Sequence, residues 1–349
     1  MNTSPSPTTS PHDRAPRYTV ALDAMGGDAM PQAAVAGALA AAREGVSVVL
    51  VGDEGAIRQE LRAQGGELPV HHAPDTVRME DHAAEVRRRK DSSIMQAMRL
   101  TKEGDASACV SVGHSGATMA AALFVLGRLK GVERPAILAN IPTAKGFCAL
   151  IDAGANADCR PTHLQQFAVM GSVYARLFYG LPNPSVGLIS IGEEPEKGNE
   201  LTREAHALLQ KTPGIAFYGN VEGRDLLKGT TDVVVADGFT GNVMLKLAEG
   251  EAKVIFGWVR EALTGGGFGT KLGAALVRSA LRRVAARLDP AEYGAQPLLG
   301  VDGYAFIGHG SSDARAIKNA LLTAKRAVEA ELLPKIKAGM AALEPARAS

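Results

Sequence analysis

From Tyr18 onward the chain alternates two kinds of segment. Short, largely apolar runs at Tyr18–Leu22, Val46–Val51, Ser107–Val112, Val186–Ile191, Ile215–Tyr218, Asp232–Ala236 and Tyr304–Ile307 are separated by stretches in which apolar residues recur every three or four positions. The runs predict strands and the stretches predict helices. Val70 marks a further short strand, and Ala136–Asn140 with Phe147–Ile151 predicts a hairpin around the turn at Pro142–Gly146. The predicted helices begin near Pro31 and end at Arg43, follow Gly52-Asp53-Glu54 to about Gln64, and then cover Ser115–Leu126, Thr162–Phe178 and Asn199–Gln210. Another runs from about Gly241 to Leu263; the break Thr264–Gly269 separates it from one ending at Leu288, and a long last helix follows His309. The strands lack polar alternation, so helices are expected on both faces of the sheet. The fold class is therefore α/β: a right-handed, doubly wound, Rossmann-like and mostly parallel sheet. We expect one domain over residues 18–335, a helical segment about 241–288 within it, and tails at 1–17 and 336–349.

Six of these strands run into loops rich in Gly, Ser, Asn or Asp that precede a helical pattern. They are Leu22–Asp28, Val110–Gly116, Ile191–Asn199, Tyr218–Gly223, Ala236–Asn242 and Ile307–Asp313. Open α/β sheets bind ligands at the carboxyl ends of their strands. N–H groups at helix N-termini suit an anion such as phosphate. Six such loops predict a single composite polar site.

Individual loops carry candidate chemistry beside plainer readings. The paired glycines at Gly26 and Gly27, after Asp23, let backbone approach a ligand, or make a tight turn capped by Asp. Ser115 is expected to cap a helix and leave N–H groups at Gly116 and Ala117, beside Gly113, for phosphate or an oxyanion. His114 is a lone loop histidine, more often structural than a base. Lys197 lies among Glu193, Glu194, Glu196 and Glu200, next to Asn199, where it can meet phosphate as a point charge or sit in a solvated, salt-bridged turn. Asn242, after Asp237, can orient a carbonyl or phosphate, or belong to an ordinary capping segment. His309, Ser311 and Ser312 suggest anion binding rather than a nucleophile–base pair. Arg87–Lys90 can grip an acidic carrier or phosphate, or end a solvated helix.

Composition narrows the classes. The 349 residues are 46% hydrophobic and 21% charged, as in an ordinary globular chain, and the formal net charge of +1 gives no case for nucleic acid. Cys109, Cys148 and Cys159 form no C-x-x-C pair; Cys109 and Cys148 lie in apolar runs and are expected as buried thiols. No G-x-G-x-x-G or G-x-x-x-x-G-K-[ST] occurs, which argues against a dinucleotide enzyme and a P-loop NTPase, and no cofactor is expected. No H-x-x-x-H occurs, and no metal site is expected. No apolar run reaches membrane-spanning length, and Met1–Arg17 lacks the apolar core of a secretory signal, so a cytoplasmic protein with a disordered N-terminal tail is expected. Arg278, Arg282, Arg283 and Arg287 alternate with Leu272, Leu276, Leu281, Val284 and Leu288, just after Phe256, Trp258, Leu263 and Phe268. Such a helix can lie on an anionic membrane, or pack against the core or a second subunit; both readings stay open.

Taken in order, the loops resemble the bacterial phosphate acyltransferases of phospholipid synthesis, the PlsX family. The matching pieces are Asp23–Asp28, Arg89–Ser93, Ser111–Ala117, Asp152–Cys159, Gln166–Ser172, Ile191–Glu200, Gly219–Leu226, Asp237–Val243 and His309–Ala314, spread over roughly Tyr18 to Leu333. Where the family usually reads Ser-Ala-Gly-Asn-Thr-Gly-Ala, this chain has Val112, His114 and Ser115, with both glycines kept. The resemblance implies a homodimeric fold related to phosphotransacetylases and isocitrate-type dehydrogenases. It implies conversion of long-chain acyl-[acyl-carrier protein] and inorganic phosphate to acyl phosphate, for a membrane glycerol-3-phosphate acyltransferase in phosphatidic acid synthesis. Lys197 and Asn242 fall at positions that the family associates with activity, and its membrane-contacting apolar tip falls near Leu263–Leu272.

That chemistry needs no protein nucleophile. Phosphate attacks the thioester, and the protein supplies positioning and charge stabilisation. Lys197, helix N-termini and the hydroxyls of Ser311 and Ser312 are expected to hold phosphate, Asn242 the oxyanion, and His309 to act as acid or base. The rival readings are a dehydrogenase of the isocitrate type, a non-catalytic phosphate- or carrier-binding protein, and a short-chain phosphotransacetylase.

Overall fold

The computed structural model describes residues 18–343; the expected N-terminal tail and the last six residues lie outside them. Strand β1 (Thr19–Asp23) is buried after its first position. Helix α1 (Gln32–Arg43) follows Pro31, and strand β2 (Ser47–Gly52) leads to α2 (Glu54–Ala63), capped by the Asp53 carboxylate, which accepts from Ala56 N. Strand β3 (Val70–His72) is followed by α3 (Ser93–Glu103), β4 (Ala108–Ser111) and α4 (Ser115–Val125). The expected hairpin is β5 (Ala136–Thr143) with β6 (Gly146–Ile151). The second half runs α5 (Pro161–Phe178), β7 (Ser185–Ile189), α6 (Glu200–Leu209), β8 (Ala216–Val221), α7 (Gly223–Lys228) and β9 (Val233–Val235). A helical hairpin, α8 (Gly238–Thr264) and α9 (Phe268–Leu288), precedes β10 (Ala295–Leu299), β11 (Ala305–Gly308), α10 (Ala314–Glu329) and α11 (Leu332–Ala341).

All eleven strands form one sheet in the order β3-β2-β1-β4-β11-β10-β5-β6-β9-β7-β8. Alternate residues of β1 feed two cores: Val20 and Leu22 belong to the one that α1 and α10 share with α5, and Ala21 to the one that holds α3 and α4. Helices thus cover both faces, as a doubly wound sheet requires. Cys109 and Cys148 are buried thiols, and burial pushes Cys148 up to about 12.

Strand direction divides the six loops into two sets. β1, β2, β3, β4 and β11 are parallel; β10 is antiparallel to both β11 and β5, and β5 is antiparallel to β6. β6, β9, β7 and β8 are then parallel to one another. The loops after β1, β4 and β11 therefore leave the sheet at one edge and those after β7, β8 and β9 at the other, yet residues of both sets line one cavity: Ser115 and His309 from the first, Asn242 from the second. A five-residue strand separates such edges by about 15 Å.

Several elements differ from the sequence reading, among them α3, which is not one of the predicted helices. β10 was not expected, because Pro297 argues against a ladder position; here Pro297 sits opposite Phe306 between two antiparallel neighbours. The basic stretch Arg87–Lys90 ends in Ser92 and leads directly into α3. The expected tail at 336–349 begins inside α11, where Ile336 and Met340 are buried, so residues 336–343 belong to the folded unit.

Candidate functional site

Three glycine-bearing loops meet at the β1/β4/β11 edge. Asp28 N donates to Gly310 O at 2.9 Å, joining the first loop to the third. A Cβ at Gly113 would stand 2.4 Å from Gly26 O, and one at Gly27 would stand 3.0 Å from Gly310 O. Only glycine permits these approaches. Beneath them Ser111 Oγ donates to Asp23 Oδ2 at 2.8 Å, and Met25 N donates to Asp23 Oδ1. Burial raises the Asp23 pKa above the ordinary carboxylate value, against the hydrogen bonds that lower it. Asp23 thus braces the loops from below rather than facing a ligand.

The cap of α4 is one residue earlier than expected. His114, not Ser115, is the capping residue: its Nδ1 accepts from Ala117 N at 3.2 Å. This engages one of the N–H groups assigned to the anion and places Ser115 in the first turn, beside Gly116. His309 and Ser311 do meet, with Ser311 Oγ 2.8 Å from His309 Nδ1. Ser311 N also points at that nitrogen, at 3.3 Å, so the ring closes a local turn and Nε2 is left as its other nitrogen. Ser312 Oγ donates to His309 O at 2.6 Å, and Asp313 caps α10.

Beside this edge lies a cavity of about 470 Å³, walled by β5, β10, β11 and α8. Ser115 and His309 reach it, as does Asn242, an exposed residue of the first turn of α8. Ile137, Ala139, Ile141, Ala153, Leu245 and Ile255 give it an apolar lining, and Tyr293 and Asn140 stand at its margin. Sequence reasoning missed this wall. Its signals were the alternation Ile137-x-Ala139-x-Ile141 on β5 and small residues at Ala248 and Ala252 on α8.

The position of Asn242 is set by a residue absent from the candidate set. The buried Asp152 carboxylate accepts from the N–H groups of Ile137, Gly154, Ala155 and Asn156, and from Asn156 Nδ2. Burial raises its pKa. Gly241 packs so tightly on this loop that a Cβ there would stand 1.9 Å from Asp152 O.

The remaining candidates follow strands of the opposite direction, as Asn242 does, but do not line the cavity. Asn199 caps α6 by accepting from Thr202 N, and Asp237 caps α8 by accepting from Thr240 N, so their plainer readings account for their side chains. Lys197 is exposed and does not line the cavity; its ammonium has no ion-pair partner among the described residues. Nearby, Glu193, Glu222 and Asp225 bring carboxylate oxygens within 4.8 Å of one another. Arg224 pairs with Glu193 and Glu222, and Lys228 with Asp225, so that charge is met within the chain. Arg89 of the basic stretch is likewise engaged, with Asp75 and Asp81.

Comparison with known proteins places these features. A family model described as a fatty acid synthesis protein matches residues 18–335. The chain is 62% identical to a phosphate acyltransferase of Thermus thermophilus over 93% of this chain and 99% of that one. It is 54% identical to a phosphate acyltransferase of Desulforamulus reducens over 91% of this chain and 96% of that one. Among solved structures, a phosphotransacetylase from Streptococcus pyogenes superposes with TM-score 0.59 at 17% identity, covering 89% of this chain and 94% of its own. A 4-hydroxythreonine-4-phosphate dehydrogenase from Klebsiella pneumoniae gives TM-score 0.54 at 14% identity, covering 88% and 98%. Both share the fold.

Proposed function

The chain belongs to the fatty acid synthesis protein family and is an acyl-transferring enzyme of lipid synthesis, and from that premise we propose that it moves a long-chain acyl group from acyl-carrier protein to inorganic phosphate. The observation that carries this reading is the junction of an anion-suited edge with an apolar groove. Ser115 and His309 stand at the groove beside three loops whose glycines bring backbone together.

In this reading phosphate rests on the first turn of α4, at Ser115 and Gly116, and on the hydroxyls at the start of α10. Helix N-termini favour anions there. A phosphate oxygen attacks the thioester carbonyl carbon, the carbon–sulfur bond breaks, and the thiolate leaves and takes up a proton. That proton comes from the attacking phosphate, as the hydrogen it carries becomes more acidic in the acyl phosphate, or from solvent. His309 Nδ1 accepts from Ser311 N, so Nε2 carries the ring hydrogen and can donate a hydrogen bond to the phosphate or to the leaving sulfur. Asn242 orients the substrate within the groove. Lys197 is carried as a candidate for phosphate or carrier on an ammonium without an ion-pair partner among the described residues and on the family resemblance, although it does not line the cavity.

Further partners complete the proposal. A second copy covers the apolar faces of α8 and α9. The tip around Leu263–Leu272 meets an anionic membrane, helped by the arginines of α9, where a glycerol-3-phosphate acyltransferase consumes the acyl phosphate for phosphatidic acid. Among the described residues no helix is long and apolar enough to cross a membrane.

The test is phosphate-dependent thiol release from palmitoyl-carrier protein, with palmitoyl-coenzyme A and acetyl-coenzyme A in parallel. Release from the long-chain thioesters with acyl phosphate as product is expected. Equal or faster release from acetyl-coenzyme A would move the reading to a short-chain phosphotransacetylase, and no release from any thioester would end it. In the same assay, a Lys197→Ala enzyme with full turnover and unchanged phosphate KM would remove Lys197 from the site.

A further inference from the structure

Two walls of the groove carry gaps among larger residues. On β5 the side chains facing the groove run Ile137, Ala139, Ile141, so a small residue is flanked by two branched ones. On α8 the residues that reach the groove include Leu245, Ala248, Ala252 and Ile255, again with small residues between large ones. Spacings of three, four and three put them on one helical stripe. Ala139 is buried, whereas Ala248 and Ala252 are only partly covered, so the free space lies between the β5 floor and the middle of α8.

We infer that these alanines hold a channel for a linear acyl chain, and that Ala248 and Ala252 set how long a chain the enzyme accepts. The inference rests on the proposed acyl-transfer reading and assigns the part of the groove that measures the substrate. The occupant follows from the walls. Ser115, His309 and Asn242 stand at the groove, and Asn140, Gln296, Tyr293 and the charged Lys246, Glu249 and Glu251 also border it. The stretch between β5 and α8, from Ile137, Ala139 and Ile141 to Leu245, Ala248, Ala252 and Ile255, is apolar and lacks side-chain carbons at the alanines on both sides. A thin hydrocarbon tail fits that shape and gains free energy with each methylene it buries.

Each Ala→Leu change adds three carbons to the wall and should displace about three methylenes of substrate. Burial of a methylene is worth about 0.8 kcal/mol, so the loss in kcat/KM for a sixteen-carbon chain is roughly 50-fold per substitution. Chains about three carbons shorter should be spared.

The experiment compares coenzyme A thioesters of eight to eighteen carbons, roughly the range over which such a groove should discriminate, on the wild type, Ala248→Leu, Ala252→Leu and Lys253→Leu. Lys253 is exposed and off the groove wall, so its variant controls for placing a leucine on α8 outside the groove. Thermal unfolding confirms that each variant is folded. Direct binding of palmitate by calorimetry reads the groove independently of turnover. The expected result is a shift of preference to shorter chains, with weaker palmitate binding, in the two alanine variants and not in Lys253→Leu. An unchanged chain-length profile and unchanged palmitate binding in folded Ala252→Leu would overturn the inference and leave acyl transfer intact. Absence of turnover from every thioester in the wild type would overturn the acyl-transfer reading, and palmitate binding that Ala252→Leu fails to weaken would then overturn the groove assignment as well.

Discussion

Gly113 and Gly223 show at single-residue scale what the glycine loops are for. A Cβ at Gly113 would meet Gly26 O at 2.4 Å, backbone against backbone, with no flexible side chain to yield. A Cβ at Gly223 would meet nothing within 4 Å. We expect Gly113→Ala to cost about 1–3 kcal/mol in thermal or denaturant unfolding, the range for overpacking a well-filled site, and to depress activity more than stability by parting the first loop from the second. Gly223→Ala should change stability by less than about 1 kcal/mol. If the two variants behave alike in both assays, the close approach of the loops is not a requirement of the site. Ser115 teaches a related lesson. Its hydroxyl marked it as the cap, yet His114 takes that place through a ring nitrogen, a role that simple cap preferences assign to Ser, Thr, Asp or Asn.

Elements were legible where the pattern is local and illegible where it depends on direction. The hairpin β5–β6 and the helices α8 and α9 follow from runs and breaks that a short window contains. β10 was hidden because Pro297 contradicts a ladder position, and it is this strand together with the hairpin that turns β6–β9 around. No local signal says that a strand runs up or down, so six similar loops read as one edge, although Lys197, Asn199 and Asp237 follow strands of the opposite direction and, unlike Asn242, do not line the cavity. The segment between β3 and α3, residues 73–92, has little regular structure and is held by an ion cluster. Arg89 Nε donates to Asp75 Oδ2 at 2.8 Å, and its guanidinium also meets Asp81. The Arg89 hydrogen bonds hold Asp75 below its ordinary pKa. A depressed folded pKa means that the pair stabilises above the unfolded carboxylate value and that this is lost as pH falls through the folded one. Arg89→Ala should therefore lose up to about 1 kcal/mol at pH 7, small because the pair is about one-third exposed. The deficit should shrink once the pH drops below about 4. A deficit that stays constant from pH 7 to pH 3 would show that Arg89 acts by packing over the segment, not by charge.

At the scale of the molecule, the helical hairpin is what a single chain leaves unfinished. No described side chain of α9 is buried, and along both helices large apolar residues face outward: Leu247 is 66% exposed, Trp258 65% and Leu276 78%. Isolated exposed residues of this kind are ordinary, but a contiguous face along two helices of 27 and 21 residues marks an interaction surface. A membrane can cover the tip where the helices meet. It does not reach the base of α8, where Phe239 and Val243 are also exposed beside the sheet. A second copy, laying the same face against its own, would cover the whole length by one symmetric contact, which is the arrangement proposed above. Sedimentation in the absence of lipid should give a dimer for the wild type at micromolar concentration and a monomer for Trp258→Glu combined with Leu276→Glu, because a charge buried without a partner in such a face is strongly unfavourable. The midpoint of thermal unfolding should rise with protein concentration for the wild type and not for the double variant. A monomeric wild type would assign the face to lipid or to another protein. A dimer that survives both glutamates would place the contact elsewhere on the molecule and leave the hairpin free for the membrane along its full length.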